Sequence, residues 1–300
     1  MNIGLVGLGK MGSNLIRNIK SKGYDIVGYD QNQAIYNELN SESIKTASSI
    51  SELVNSLEKP RTIILLVPNG KITQECFEEV LKHLDENDTI IDSGNSFYKD
   101  SINRYNIAKE KNINFVDCGI SGGISGARNG ACLMVGGEDK ALEPLHDFFK
   151  SIAVENGYLH TGKPGSGHFC KMIHNGIEYG MMQSIAEGYE LLERSDFDYD
   201  LEKVSLMWNN GSVIRSWLIE LMIDAFKNDP KLESLTGEMD MNGEGLWTVQ
   251  EALEQGTPVP TISLSVMMRQ RSKFTDTFSG KVVSSLRKGF GGHAVVKKKK

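Results

Sequence analysis

The stretch from Ile3 to Asp30 constrains the fold more than any other part of the chain. Ile3 to Val6 is a short apolar run, and Gly7, Gly9 and Gly12 follow it as GLGKMG, leading into a helical pattern from Met11 to Lys22. A second apolar run, Ile26 to Tyr29, ends in Asp30. Strand, glycine turn, helix, strand and acid in that order are the layout of a dinucleotide-binding unit. The glycines allow the turn, the approach of a pyrophosphate and close helix packing, and the helix N-terminus favours the anion. A GxGxxG alone says little, but in this setting it is specific.

Asp30 then selects the dinucleotide. A carboxylate ending the second strand can accept from both ribose hydroxyls, and it would face a 2′-phosphate as a like charge. At close range and an effective dielectric of 20, that repulsion is about 4 kcal/mol before screening. Gln31 and Asn32 supply no arginine to reverse it. The expected cofactor is NAD rather than NADP.

Strand and helix signals keep alternating. Thr62 to Val67, Thr89 to Asp92, Asn114 to Cys118, Ala131 to Val135 and Val154 to Tyr158 read as strands, with helices to about His83, over Tyr98 to Lys111 and over Lys140 to Ile152. Alternation of this kind means a mostly parallel sheet covered on both faces. Ligands of such sheets bind beyond the carboxyl ends of the strands, which draws attention to Val67 and Pro68 to Gly70, Ser93 to Ser96, and Ser121-Gly122-Gly123. After Gly162 the strand signals stop and helical patterns take over to about Arg287. The expectation is an α/β chain, a Rossmann-type mostly parallel sheet over 1–163 followed by an all-α domain over 164–300.

Composition excludes several classes. The charged fraction of 24% and hydrophobic fraction of 39% are those of a globular protein, and no apolar run reaches the roughly 20 residues of a membrane span. A net charge of −6 argues against nucleic-acid binding, and the basic tail Lys297 to Lys300 reads as a solvated terminus. Cys76, Cys118, Cys132 and Cys170 lack CxxC spacing and the histidines lack HxxxH pairing, so no metal site is expected and the cysteines read as buried free thiols. With MNIGLVGLG entering a strand at once, a cytoplasmic enzyme is the expectation.

The most unusual stretch is Gly165 to Gly180, GSGHFCKMIHNGIEYG. Read as a helix it aligns Lys171, His174, Asn175, Glu178 and Tyr179 on one face, where most helices carry an apolar stripe. Ile173, Ile177 and Met181 occupy another face, free to pack. Gly165, Gly167, Gly176 and Gly180 are costly in a helix, roughly 0.5–1 kcal/mol each against alanine, and signal close approach of another group.

Five motifs together resemble the 6-phosphogluconate dehydrogenase (decarboxylating) family in its short-chain, NAD-type form: GLGKMGSNL at Gly7 to Leu15, IDSGNS at Ile91 to Ser96, GISGGISGARNG at Gly119 to Gly130, GHFCKMIHNGIEYG at Gly167 to Gly180, and LRKGFGGH at Leu286 to His293. The resemblance implies that Lys171 is the general base on the C3 hydroxyl of 6-phosphogluconate and Glu178 the acid that protonates C1 of the enediol. It implies substrate contacts from Asn95, Ser121, Gly122, Gly123, His174, Asn175 and Tyr179, and phosphate contacts from Arg269, Arg287 and His293. Gly7, Gly9, Lys10, Met11, Gly12, Asp30, Val67, Pro68 and Asn95 would contact NAD. A homodimer or homotetramer is implied as well, with the tail residues supplied by a neighbouring subunit. One departure stands out, Asn242 in MNGEGLW, where long-form members carry a lysine. Two other readings compete: a relative that oxidises an unphosphorylated 3-hydroxy acid without loss of CO2, and a nicotinamide-binding regulatory protein.

Overall fold

The computed structural model describes residues 2–296; the lysine tail lies outside the described residues. The chain forms two compact units, Met1–Asn175 and Gly176–Lys300.

The first unit alternates as the sequence implies. β1 (Asn2–Val6), α1 (Lys10–Ser21) and β2 (Asp25–Tyr29) open it, followed by α2 (Tyr36–Ser41), β3 (Lys45–Thr46), α3 (Ile50–Asn55), β4 (Arg61–Leu65), α4 (Lys71–Leu81), β5 (Thr89–Asp92) and α5 (Tyr98–Lys109). Next come β6 (Asn114–Ser121), α6 (Gly123–Asn129), β7 (Ala131–Gly137), α7 (Asp139–Leu142), α8 (His146–Ile152) and β8 (Ala153–Gly162). The eight strands make one sheet in the order β3-β2-β1-β4-β5-β6-β7-β8. Only the β6–β7 pairing is antiparallel. Because β1 is followed outward by β2 on one side and β4 on the other, the winding reverses between β1 and β4, and a crevice opens at their carboxyl ends.

The central strands β4 and β5 are buried throughout, on both faces, as parallel strands require. Ile3, Leu5, Leu15, Ile16, Ile19, Phe148 and Phe149 belong to one core, while Leu53, Val54, Ile63, Leu65, Phe77, Val80 and Phe115 belong to the other. Strand β6 runs to Ser121, three residues further than its apolar run suggests. Ser121 therefore ends the strand, and Gly122 alone separates it from α6. Gly122 and Gly123, at φ +119° and +59°, make the sharp entry into α6 that a residue with a Cβ would resist.

Helix α9 (Ser166–Glu193) begins in the first unit and continues in the second. The second unit otherwise consists of α10 (Leu201–Asn209), α11 (Trp217–Asn228), α12 (Glu244–Gln255), α13 (Pro260–Ser272) and α14 (Phe278–Gly291). Its small core gathers Tyr189, Ile219 and Phe226, with Ile185, Leu192, Leu201, Trp208, Met222 and Leu232 against them. Every residue of α14 from Phe278 to Gly289 is exposed.

Candidate active site

Gly7 follows β1 at φ +102°, and a Cβ there would fall 2.2 Å from the Leu66 carbonyl oxygen. At Gly12 a Cβ would meet the Gly7 carbonyl oxygen at 1.8 Å, whereas at Gly9 it would meet nothing within 4 Å. The first and third glycines are thus demanded by the chain's own packing, and the second leaves open space at the head of α1. Helix α1 starts at Lys10 with no side-chain cap and no acid in its first turn. Its leading N–H groups fit a pyrophosphate, and Lys10 and Met11 lie in that first turn.

Asp30 leaves β2 beside this turn. Its carboxylate accepts from the backbone N–H of Leu8 at 2.6 Å and of Asn32 at 2.7 Å, so the acid also braces the glycine turn. Lone pairs remain for a ribose hydroxyl. Val67 stands between two glycines: its Cγ1 lies 2.9 Å from where a Cβ of Gly7 would be, and its carbonyl oxygen 3.0 Å from where a Cβ of Gly94 would be. The Pro68 carbonyl accepts from Thr73 Oγ1 at 2.8 Å.

Asn95 is exposed on the turn after β5, and beneath it lies a buried ion pair. The Asp92 carboxylate, fully buried, accepts from Arg104 Nη1 at 2.9 Å, Ser96 Oγ at 2.9 Å and the Gly94 N–H at 3.2 Å. Arg104 is 1% exposed and also donates from Nε to Gln74 Oε1 at 3.0 Å. Nothing in the local sequence pattern marks Asp92 or Arg104 as a buried pair. An arginine inside a helix pattern reads as solvated until the sheet shows which face it turns inward.

Strand β6 meets α9 through alternate residues. Asp117, fully buried, accepts from the Gly165 N–H at 2.6 Å and the His168 N–H at 2.8 Å, capping the helix start. Two residues on, Gly119 makes room for the lysine stem: a Cβ there would lie 2.4 Å from Lys171 Cβ. Two residues further, Ser121 Oγ lies 3.2 Å from His174 Nε2. Lys171, 6% exposed, donates from Nζ to Asn175 Oδ1 at 2.5 Å, and His174 Nδ1 lies 2.9 Å from the same oxygen. An amide oxygen only accepts, so Nδ1 carries the imidazole proton and Nε2 accepts from Ser121. Lys171, His174, Asn175 and Ser121 are therefore one connected polar chain, with Gly122 and Gly123 immediately after it. The missed members, Asp117 and Gly119, carried a signal: a carboxylate and a glycine inside an otherwise apolar strand.

In the second unit Glu178 and Tyr179 follow on the same helix. Tyr179 is 5% exposed and donates to Asn242 Oδ1 at 3.0 Å, and the Arg269 guanidinium stacks 3.6 Å from its ring centre. Arg269 is held from Nη1 by the Asp240 carbonyl at 2.7 Å. Two close approaches account for glycines here: a Cβ at Gly176 would meet Thr248 Cγ2 at 2.7 Å, and one at Gly245 would meet the Tyr179 ring at 2.6 Å. Tyr179 and Arg269 are brought together. Arg287 is on the exposed surface of α14 and His293 is exposed just beyond it, the His293 ring against Gly291.

The cysteines are free, as expected, but not all are buried. Cys118 is buried in β6, and burial pushes its thiol well above the usual range; Cys76 is half-buried, and Cys132 and Cys170 are exposed. No group of three or more metal-ligating side chains occurs among the described residues.

A glycine-cornered nucleotide crevice, followed by a helix that presents a buried lysine, defines the class of nicotinamide-dependent dehydrogenases with a helical second unit. Comparison narrows it. Residues 2–162 match the model of the NAD binding domain of 6-phosphogluconate dehydrogenase, and residues 167–286 that of its C-terminal domain. The Bacillus subtilis (strain 168) protein YqeC, provisionally named a 6-phosphogluconate dehydrogenase, is 51% identical over 298 residues, covering 99% of this chain and 100% of its own. A Haloferax volcanii protein named NAD(+)-dependent, decarboxylating 6-phosphogluconate dehydrogenase is 39% identical over 300 residues, covering 99% of each. The Plasmodium falciparum 6-phosphogluconate dehydrogenase, solved in apo form and with NADP+ and 6-phosphogluconate, superimposes with a TM-score of 0.83 at 32% identity, over 99% of this chain and 66% of that one. The chain belongs to the 6-phosphogluconate dehydrogenase family.

Proposed function

We propose that the protein converts 6-phosphogluconate to ribulose 5-phosphate and CO2 with NAD as the oxidant. By role, we divide the chain into a dinucleotide-binding part over 1–163 and a helical substrate-binding and oligomerisation part over 164–300. The observation that carries the reading is Lys171, buried, seated on Gly119 and held by Asn175, seven residues before Glu178 on one helix. Seven residues rise roughly 10 Å along the axis and return to nearly the same face, a span that a six-carbon sugar acid lying along the helix can fill.

NAD, when bound, supplies the acceptor for the hydride leaving C3. Lys171 takes the proton of the C3 hydroxyl, and the β-keto acid so formed loses CO2 while the same amine returns a proton to the keto oxygen. Asn175 keeps Nζ pointed at that oxygen. Glu178 then delivers a proton to C1 of the enediol while Lys171 takes back the proton of the adjacent C2 hydroxyl, leaving the ketose. Asn95, Ser121, Gly122, Gly123 and His174 hold the carboxylate and hydroxyls, and Tyr179 with Arg269 holds the phosphate, to which a guanidinium offers a planar fork. Arg287 and His293 complete the phosphate site from a neighbouring subunit. Asp30 favours NAD by its charge and by leaving the 2′-hydroxyl an acceptor.

Purified protein given 6-phosphogluconate and NAD is expected to form NADH and CO2 in equal amounts. NADH without CO2 would move the assignment to a 3-hydroxy acid dehydrogenase, and equal turnover of gluconate would remove the phosphate from the substrate. We further propose that the enzyme acts in the cytoplasm as a homodimer or homotetramer. Supporting assembly, Val213, Phe278, Leu253 and Leu191 are each more than 70% exposed.

A further inference from the structure

Glu244 is a buried acid that the chemistry above does not use. It is 2% exposed at the first residue of α12, and its Oε2 accepts from Asn242 Nδ2 at 2.9 Å. With Oε2 as the acceptor, the Asn242 amide turns its NH2 toward the acid. That settles the other end of the amide. Asn242 Oδ1 faces away, taking the Tyr179 hydroxyl proton at 3.0 Å and the Glu244 backbone N–H at 3.3 Å. The same hydroxyl accepts from the Asn242 backbone N–H at 3.3 Å. Tyr179 is thus held at its oxygen by two atoms of Asn242, at its face by Arg269 and at its edge by Gly245, where no side chain larger than hydrogen fits.

We propose that Glu244 is a positioning residue for phosphate recognition, fixing the Asn242 amide so that the Tyr179 hydroxyl and the Arg269 guanidinium are preset for the substrate's terminal phosphate. The inference rests on the assignment of Tyr179 and Arg269 to that phosphate. A glutamine at position 244 could present either an acceptor or a donor, so Asn242 would lose its single orientation and the tyrosine hydroxyl its single partner. Holding such groups ready before binding lowers the ordering cost of binding and leaves the reacting carbons untouched.

The test uses Glu244→Gln and, because Asn242 is exposed and its loss leaves the buried acid in place, Asn242→Ala. Both are expected to raise KM for 6-phosphogluconate about tenfold, equivalent to about 1.4 kcal/mol, with kcat within about twofold and KM for NAD unchanged. An unchanged KM for 6-phosphogluconate overturns the proposal. So does a kcat/KM for gluconate that falls by the same factor as for the phosphorylated substrate, which is what a merely structural role would produce. Ligand-free protein labelled with 13Cζ-tyrosine gives a second readout, independent of which substrate is used: the Tyr179 resonance, assigned from Tyr179→Phe, is expected to shift in both variants. A fixed resonance overturns the proposal even where wild-type turnover stands, and a shifted one sustains the positioning even where turnover of 6-phosphogluconate fails.

Discussion

On the proposed mechanism Lys171 and Glu178 make separable contributions, and their variants should fail in different ways. Lys171→Met removes the base for the first proton transfer, and kcat is expected to fall about 10²–10⁴-fold with NAD binding, followed by fluorescence titration, preserved. Glu178→Gln leaves oxidation and loss of CO2 intact in principle and slows only the last protonation, so solvent tritium incorporation at C1 of the product should fall further than NADH formation in a single turnover. Asp30 is less simple than its charge suggests, because its carboxylate also holds the N–H groups of Leu8 and Asn32. Asp30→Ala should therefore narrow the NAD-over-NADP preference while raising KM for both. The thiols differ by burial alone: Cys132 and Cys170 should react with a disulfide reagent in the native state, and Cys118, whose thiol is driven up by desolvation, only after unfolding.

At the scale of elements, β6 organises the first half of the site through its pleat. Successive residues of a strand face opposite ways, so Asp117, Gly119 and Ser121 share a side and meet α9 in turn as cap, as space and as hydrogen-bond partner. Gly119→Ala would push a methyl group into Lys171 Cβ. The expected result is a fall in kcat of about 10²-fold from displacing the amine, with a loss of stability of about 1–3 kcal/mol measured by denaturant unfolding. Arg104→Ala should be worse for folding, about 3–5 kcal/mol, because it leaves the buried Asp92 carboxylate without its charge partner. Much of this was legible in the sequence. The glycine turn, the acid after β2 and the polar face of α9 each follow from spacing, since a local pattern fixes a local structure. What spacing did not reveal were contacts between distant stretches: the cap from Asp117, the room left by Gly119, and the pairing of Asp92 with Arg104. Strand β6 reads as ending at Cys118 because Gly119 looks like a break, and its reason for being glycine lies in another element more than fifty residues away.

At the scale of the whole molecule, the two units meet the problem of burial differently, and that difference can be measured. The first unit covers its sheet with two large apolar cores, whereas the second, among the described residues, gathers the buried Tyr189, Ile219 and Phe226 in its apolar cluster. It leaves Val213, Leu253, Met207 and Leu264 exposed, and along α14 Phe278, Val282, Val283 and Leu286 face solvent at helical spacing. On the proposed assembly another copy covers this apolar surface, so the second unit's stability should depend on protein concentration and the first unit's on cofactor. NAD at a hundred times its Kd should stabilise the first unit by about 2.7 kcal/mol wherever it unfolds independently. Scanning calorimetry across a hundredfold dilution, with and without saturating NAD, separates the two dependences: dilution should lower the transition of the helical unit, and NAD should raise that of the sheet. Coincident transitions that ignore dilution would show the helical unit to be stable as a monomer. In that case Arg287 on α14 and His293 just beyond it would have no neighbouring subunit to serve, and Arg287→Ala should leave KM for 6-phosphogluconate unchanged. If assembly is present, the same variant should raise that KM about tenfold or more, while mixing it with a Lys171→Met chain restores sites in which each subunit supplies what the other lacks. Recovery of turnover on mixing two variants that are each impaired is the outcome expected, and its absence in a demonstrated oligomer would confine each site to a single chain.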